Sequence, residues 1–314
     1  MKNNYNIVFM GTPDFCLPAL EALCAHGYTP KAIYTQPDKI NGRGKKITFS
    51  PVKQFALDHD IPVHQPLTFK NEEEVETLKA LQPDILIVIA YGRILPKAVL
   101  DIPTYGAINV HASLLPKYRG AAPIQRVIID GEKETGVTIM QLDEGMDTGN
   151  MVETVTMEIP PHMTAGELFD ALGPLGAKAL IDVMDYLPEK LAASVPQNHE
   201  EATYAEKVTK DMGHMDWHKE AQEIDCLMRG MYPNPGTYTM FRGKRVKLHR
   251  GWAEEETSGK EPGTIISTED GIIRVACGKG TIAISDLQPE NHKQMKAADF
   301  INGYQVKVND TFEY

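Results

Sequence analysis

The chain has 314 residues, 42% hydrophobic and 24% charged, with 32 Lys and Arg against 43 Asp and Glu for a formal net charge of −11. That balance excludes a disordered chain, a collagen and a small disulfide-stapled scaffold, and the length leaves room for about two domains. No apolar run approaches the roughly 18 residues that a membrane-spanning helix needs, and the first residues show neither a signal-peptide apolar core nor an Arg/Ser-rich transit sequence. The four cysteines, Cys16, Cys24, Cys226 and Cys277, form no close metal-type pair and read as packing thiols of a cytoplasmic protein.

Ile7–Met10 is a short apolar strand, followed by Gly11-Thr12-Pro13-Asp14 and a helical stretch to His26 with Leu17, Leu20, Ala22 and Leu23 on one side. Lys31–Thr35 reads as a second strand, and Glu72–Leu81 as a helix with Val75, Leu78 and Leu81 three apart. Asp84–Ala90 is almost continuously apolar, the mark of a strand buried on both faces. Ala107–Val110 and Val137–Leu142 are further strands, Val152–Ile159 alternates as an antiparallel strand does, and Ala165–Tyr186 is a long helix despite Gly173-Pro174. The alternation predicts an α/β fold: a Rossmann-like, mostly parallel sheet with helices on both faces. Ligands of such sheets bind beyond the carboxyl ends of the strands. Gly11-Thr12-Pro13-Asp14 does not match the dinucleotide fingerprint, so NAD is not expected.

Leu187–Tyr204 holds Pro188, Pro196 and Gln197-Asn198 and has no regular pattern. We therefore divide the chain into residues 1–188, a linker 189–207, and a smaller domain 208–314. The last of these starts with a helix at Ala221–Met231 and Tyr232-Pro233-Asn234-Pro235-Gly236. Hairpin patterns follow: Tyr238–Phe241 and Arg245–Leu248 around Arg242-Gly243-Lys244, then Thr264–Ser267 and Ile272–Ala276 around Asp270-Gly271. A strand at Thr281–Leu287 and a helix at Ala297–Gly303 complete what reads as a small β-barrel, OB-like in kind.

Three stretches lack any acid on this acidic chain. Asp38 to Asp58 encloses Lys39, Arg43, Lys45, Lys46 and Lys53; Asp101 to Asp130 encloses Lys117, Arg119 and Arg126. Asp225 to Glu254 encloses Arg229, Arg242, Lys244, Arg245, Lys247 and Arg250. Local basic segments of this kind fit a polyanion held at a defined place; the plain alternative is a set of solvated faces.

The densest chemistry lies in residues 106–120. Asn109 and His111 are two apart at the end of a strand and so point to one side. An amide beside an imidazole there can polarise a carbonyl and hold the oxyanion of a tetrahedral intermediate. Ser113-Leu114-Leu115-Pro116 leaves the strand as an irregular loop able to wall a flat ligand, with an X-Pro bond whose isomer matters. The turn after the next strand supplies Asp143, Glu144 and Asp147, and a carboxylate near His111 favours imidazolium. The plain alternative is a turn-capping Asn and a satisfied His. His214 and His218 have helix-compatible metal spacing around Asp216 but no third ligand, so no metal is expected.

Asn109, His111, Ser113–Pro116 and Asp147 together resemble the formyltetrahydrofolate-dependent formyltransferases. The resemblance extends over nearly the whole chain, through Gly11–Phe15, Thr35–Asp38 with Gly42–Lys46, Ala90–Gly92, Leu95–Lys97, Arg119–Gln125, Glu134–Met140, Thr203–Lys207 and Asp216-Trp217. The Gly42–Lys46 loop and the second domain point to the branch of the family that acts on an aminoacylated tRNA. The resemblance implies transfer of a formyl group from 10-formyltetrahydrofolate to the α-amino group of methionyl initiator tRNA, with no covalent enzyme intermediate. On this sequence it makes Asn109 and His111 the oxyanion holders, Asp147 the residue that orients His111 and aids proton transfer, and Ser113, Leu114, Leu115 and Pro116 the folate wall, with a contribution from Tyr91–Ile94. It assigns Arg43, Lys45 and Lys46, with Arg242, Lys244, Arg245 and Lys247 of the barrel, to tRNA. A monomer in the cytoplasm is expected. The rivals are a formyltransferase for a small amine, which needs no basic barrel, and a non-catalytic tRNA-binding protein, which needs no convergence of Asn109, His111 and Asp147.

Overall fold

Ile7–Gly11 and Ile85–Ile89 are buried at every position, which requires a sheet covered on both faces. The structure, a computed structural model, describes residues 4–41 and 46–314. The elements of the first part of the chain are β1 (Ile7–Gly11), α1 (Leu17–Ala25), β2 (Ala32–Tyr34), β3 (Lys39–Asn41), β4 (Lys46–Thr48), α2 (Pro51–Asp58), β5 (Val63–His64), α3 (Glu72–Ala80), β6 (Ile85–Ile89), α4 (Lys97–Leu100), β7 (Ala107–His111), β8 (Arg119–Gly120), α5 (Pro123–Ile129), β9 (Glu134–Gln141), β10 (Met151–Glu158), α6 (Ala165–Asp185) and α7 (Leu187–Ala192). Then come β11 (Tyr204–Ala205), α8 (Ala221–Met231), β12 (Thr237–Phe241), β13 (Lys244–Glu254), β14 (Ile265–Ser267), β15 (Ile273–Ala276), β16 (Thr281–Pro289), β17 (Met295–Lys296), α9 (Ala297–Tyr304) and β18 (Phe312–Glu313).

Packing divides the chain into two compact units that interleave along the sequence. The first runs up to Gly120 and adds Thr135–Met157 and Phe169–Tyr204; the second is Ala121–Glu134, Glu158–Leu168 and Ala205–Tyr314.

The first unit is built on a seven-stranded sheet in the order β10-β9-β7-β6-β1-β2-β5. β1 runs parallel to β2 and β6, β2 to β5, and β6 to β7. β7 and β9 are antiparallel, with His111 opposite Thr138 and Asn109 opposite Met140. The sequence alternation had placed Val137–Leu142 among the parallel strands. The difference has a physical cause: a parallel neighbour needs a covering crossover helix, and the intervening α5 belongs to the second unit instead. The short helices α2, α4, α5 and α7 also escaped the periodicity reading. α2 begins at Ser50, whose Oγ accepts the Lys53 amide at 3.0 Å, with Pro51 as its first residue. α7 occupies part of the stretch read as patternless; six residues with one buried side chain, Leu187, are too few to show a period.

The second unit holds a curled antiparallel sheet in the order β14-β15-β16-β13-β12-β18, with β17 on β16. Its ends meet: the Phe312 amide donates to Gly263 O and the Ile265 amide to Asp310 O, both at 2.8 Å. The core gathers Trp217, Phe241, Phe300 and Phe312, and the buried Trp217 indole N–H donates to Thr239 Oγ1 at 3.2 Å. β13 is longer than the sequence suggested because register breaks around Arg250 interrupt its alternation. α8 packs on α5 through Gly230, where a Cβ would stand 2.5 Å from Ile129 Cγ1 and 2.9 Å from Gln125 O.

Candidate active site

β7 ends the parallel part of the first unit's sheet, and it delivers Asn109 and His111 from one strand face. His111 is buried, and its Nε2 lies 2.9 Å from Tyr118 O. A carbonyl only accepts, so Nε2 carries the hydrogen and Nδ1 is the ring atom left for chemistry. Nδ1 lies 3.8 Å from Asp147 Oδ2. The orienting hydrogen bond of His111 is therefore the one its Nε2 donates to the Tyr118 carbonyl, and Asp147 Oδ2 lies beyond hydrogen-bond distance of the ring. Asn109 is half-buried, and its amide makes no side-chain hydrogen bond among the described residues. An unpartnered amide suits a ligand that brings a carbonyl oxygen, and the neighbouring Nδ1, with its lone pair free, is placed to take up a proton.

The loop after β7 is held from inside. Thr138 Oγ1, fully buried on β9, donates to Ser113 O at 2.8 Å and accepts from the Leu115 amide at 3.2 Å. Ser113 Oγ donates to Lys117 O at 2.7 Å, so this hydroxyl shapes the loop instead of facing outward. The Leu115-Pro116 bond is cis. Leu115 is buried, and Leu114 and Pro116 stay partly exposed. Across the sheet's carboxyl edge Tyr91 is buried, whereas Ile94 is 87% exposed.

Asp147 sits in the loop between β9 and β10 with a left-handed backbone, φ +55°, and its Oδ2 accepts the Gly120 amide at 2.8 Å. Two residues on, a Cβ at Gly149 would stand 1.9 Å from Gln141 O, so only glycine closes this loop. Gln197 Nε2 donates to the carbonyls of both Asp147 and Gly149 at 2.8 Å. Its Oε1 accepts from Arg119 Nε at 3.1 Å and Nη2 at 2.7 Å. Arg119, grouped in the sequence with cations for a polyanion, is therefore a core residue, 2% exposed. Thr203 completes the support, with Oγ1 accepting the Tyr118 amide and its carbonyl the Arg119 amide, both at 2.9 Å. Sequence reasoning singled out none of Thr138, Gln197 and Tyr118 for this work. Thr203 and Thr138 carried a signal only as members of motifs in the resemblance, Thr203–Lys207 and Glu134–Met140.

Arg43 and Lys45 lie outside the described residues, as does the side chain of Lys46. In the second unit Lys244, Arg245 and Lys247 are exposed on β13, where Arg245 stacks 3.5 Å over the Tyr238 ring. Arg242 is engaged: its guanidinium donates to Tyr304 O at 2.9 Å and pairs with Asp310 at 2.9 Å. The His214 ring is stacked on Tyr238 at 4.9 Å and on Tyr314 at 4.8 Å. A cavity of about 650 Å³ in the same unit, bordered by Met163, Met228, Tyr232, His249, Arg250 and Trp252, contains none of the residues assigned to catalysis.

Comparison with known proteins gives two family matches. Residues 5–184 match the formyl transferase family and residues 207–305 the formyl transferase C-terminal domain. The chain is 50% identical over 297 residues to the methionyl-tRNA formyltransferase of Marinobacter nauticus, covering 95% of this chain and 96% of that one. It is 48% identical over 303 residues to the corresponding enzyme of Clostridium perfringens, covering 96% and 98%. Among solved structures, HypX of Aquifex aeolicus in complex with tetrahydrofolic acid superposes with a TM-score of 0.65 at 15% identity, covering 99% of this chain and 51% of that one. An N-formyltransferase of Helicobacter canadensis, solved with folinic acid and dTDP-3-aminofucose, superposes with a TM-score of 0.64 at 19% identity, covering 89% and 99%. These two likenesses speak to the fold.

Proposed function

The chain belongs to the formyl transferase family, and we infer from this that it transfers a formyl group from 10-formyltetrahydrofolate to the α-amino group of methionyl initiator tRNA. Near-full-length identity of 50% to an enzyme of that activity, across both domains, supports the substrate pair. The observation that carries the site is the Asn109 amide and the His111 Nδ1 facing one side of β7, with Asp147 Oδ2 3.8 Å from that nitrogen.

The neutral α-amine attacks the formyl carbon; the new N–C bond forms and the bond from carbon to N10 of the folate breaks. The amine gives up one proton and N10 gains one. Asn109 Nδ2 donates to the oxyanion that develops between these events, and His111 Nδ1 does so while it carries a proton. Asp147, 3.8 Å from that nitrogen, relays the proton by way of water. Leu114, Leu115 and Pro116, with Ser113 bracing the loop, wall the folate. Lys244, Arg245 and Lys247 hold RNA phosphates, with Arg242 able to join only by leaving Asp310; Arg43, Lys45 and Lys46 reach the acceptor end. In functional terms the chain divides into a catalytic part, 1–188, a linker, 189–207, and an RNA-binding part, 208–314. It acts as a monomer in the cytoplasm, a state that light scattering tests. No helix among the described residues is long and apolar enough to cross a membrane.

The deciding assay supplies 10-formyltetrahydrofolate with charged initiator methionyl-tRNA, and with free methionine as control. Formylation of the charged tRNA alone is the expected result. Folate turnover without tRNA formylation would move the activity to a small-amine acceptor.

A further inference from the structure

We propose that Gln197 is a positioning residue for Asp147, with Arg119 fixing which way its amide faces. The proposal rests on the reading of Asp147 as a participant in formyl transfer. Gln197 lies in the stretch between the two functional parts of the chain, yet it is only 5% exposed. Both ends of its amide are committed. Nε2 spans the carbonyls of Asp147 and Gly149, each at 2.8 Å, and Oε1 takes two hydrogen bonds from the Arg119 guanidinium. A guanidinium can only donate and a carbonyl can only accept, so one orientation of the amide satisfies all four bonds. Arg119 itself is buried and finds a further acceptor in His199 Nδ1 at 3.1 Å.

The segment that Gln197 clamps needs a clamp. Asp147 is a non-glycine residue held at φ +55°, a conformation that costs about 1 kcal/mol or more unless its surroundings impose it. Among the described residues its carboxylate has one hydrogen-bond donor, the Gly120 amide at 2.8 Å, next in sequence to Arg119. Arg119 and Gln197 thus tie the backbone of Asp147 to the same short strand that anchors its side chain. If the two carbonyls are released, the residue can relax and carry its carboxylate away from His111 Nδ1. A misplacement of about 1 Å at a reacting group costs up to roughly 100-fold in rate.

The test variant is Gln197→Glu. A carboxylate keeps Arg119 paired, indeed more strongly, but cannot donate to the Asp147 and Gly149 carbonyls. The expected result is a fold of undiminished cooperativity in thermal melts, a kcat lowered by roughly 10- to 100-fold, and KM values for both substrates within about threefold. If Glu at 197 impairs folding, the pair Arg119→Met with Gln197→Met replaces the buried polar contact by apolar volume and is expected to show the same split. Asp147→Asn, alone and combined with Gln197→Glu, completes a double-mutant cycle. The combined variant should be no slower than Asp147→Asn alone, because a residue that works only through Asp147 has nothing left to position. Wild-type kcat in Gln197→Glu beside a crippled Asp147→Asn would overturn the proposal while leaving the reading of Asp147 intact. Additive losses in the cycle would overturn it in favour of a general structural role. A fully active Asp147→Asn would bring down the reading of Asp147 itself, and the proposal with it.

Discussion

The carboxyl end of the first unit's sheet and the exposed face of β13 in the second hold the side chains proposed for catalysis and for RNA by opposite means. Around Asp147 and His111, each group is braced by buried hydrogen bonds to backbone: Tyr118 O on His111, Gly120 N on the Asp147 side chain, Gln197 on the Asp147 carbonyl, and Thr138 under the loop that follows β7. On β13, Lys244 and Lys247 stand in solvent and Arg245 is steadied by a single aromatic face. Stabilising charge that exists only during a reaction requires donors already in place, so their ordering must be done in advance. Attracting a phosphate requires only that a cation be nearby, and flexible side chains do that through counterion release. The difference teaches where substitutions should act on rate and where on affinity.

Removing the amide of Asn109 should strain this contrast most. Asn109→Ala is expected to lower kcat by roughly 100- to 1,000-fold, as for loss of one oxyanion donor, with the melting temperature nearly unchanged because the amide has no partner to lose. A comparable fall in tRNA affinity, measured by filter binding, would contradict that division. Thr138→Val removes both a donor and an acceptor beneath the Ser113–Pro116 loop and should destabilise the protein by about 1–3 kcal/mol, read by urea denaturation, with kcat falling beyond what the unfolded fraction explains. Changing Lys244, Arg245 and Lys247 together to Gln should weaken RNA binding several-fold. It should also flatten the plot of log K against log salt by about 0.7–0.9 for each phosphate that is no longer neutralised; kcat at saturating tRNA should stay near wild type. Arg242→Ala should do less on both counts, since its guanidinium is already spent on Asp310 and Tyr304, and an exposed pair of that kind contributes about 1 kcal/mol or less.

The smallest expected effect is electrostatic. Hydrogen bonds from the Thr164 amide and hydroxyl hold the Glu167 carboxyl below its ordinary value of 4.5. A carboxyl depressed in the folded state adds stability above its unfolded value, and that stability is lost as pH falls through the folded one. Glu167→Gln should therefore leave stability at neutral pH slightly lower and flatten its decline below about pH 4.5. A stability curve parallel to wild type through that range would count against a contribution from these hydrogen bonds.

The elements that carry long buried runs were legible in the sequence. Ile85–Ile89 announces a two-sided strand by composition alone, and α6 kept its period through Pro174 because twenty-one residues outvote one breaker. The direction of β9 was not legible, because strand direction depends on what the intervening chain packs against, and α5 shows the same apolar pattern whichever surface it covers. Three of the four cysteines, Cys16, Cys226 and Cys277, are buried and Cys24 is half-buried; burial pushes the Cys16 and Cys277 thiols up to about 12, leaving them unreactive near neutral pH.

The sequence by itself determined the chemistry on offer: an amide and an imidazole two residues apart at a strand end, a loop of carboxylates, and cations on an alternating strand. These are local properties, set by residue type and the period of the backbone. Only the tertiary structure decided which groups are free to act. It turned Arg119 from a surface charge into a buried donor, drew Gln197 from an apparent linker onto Asp147, assigned the orienting bond of His111 to the Tyr118 carbonyl, and tied Arg242 to Asp310. The partners in these pairings lie between seven and seventy-eight residues apart along the chain. No local pattern encodes them; they follow from the demand that every buried donor and acceptor be satisfied once the fold has closed.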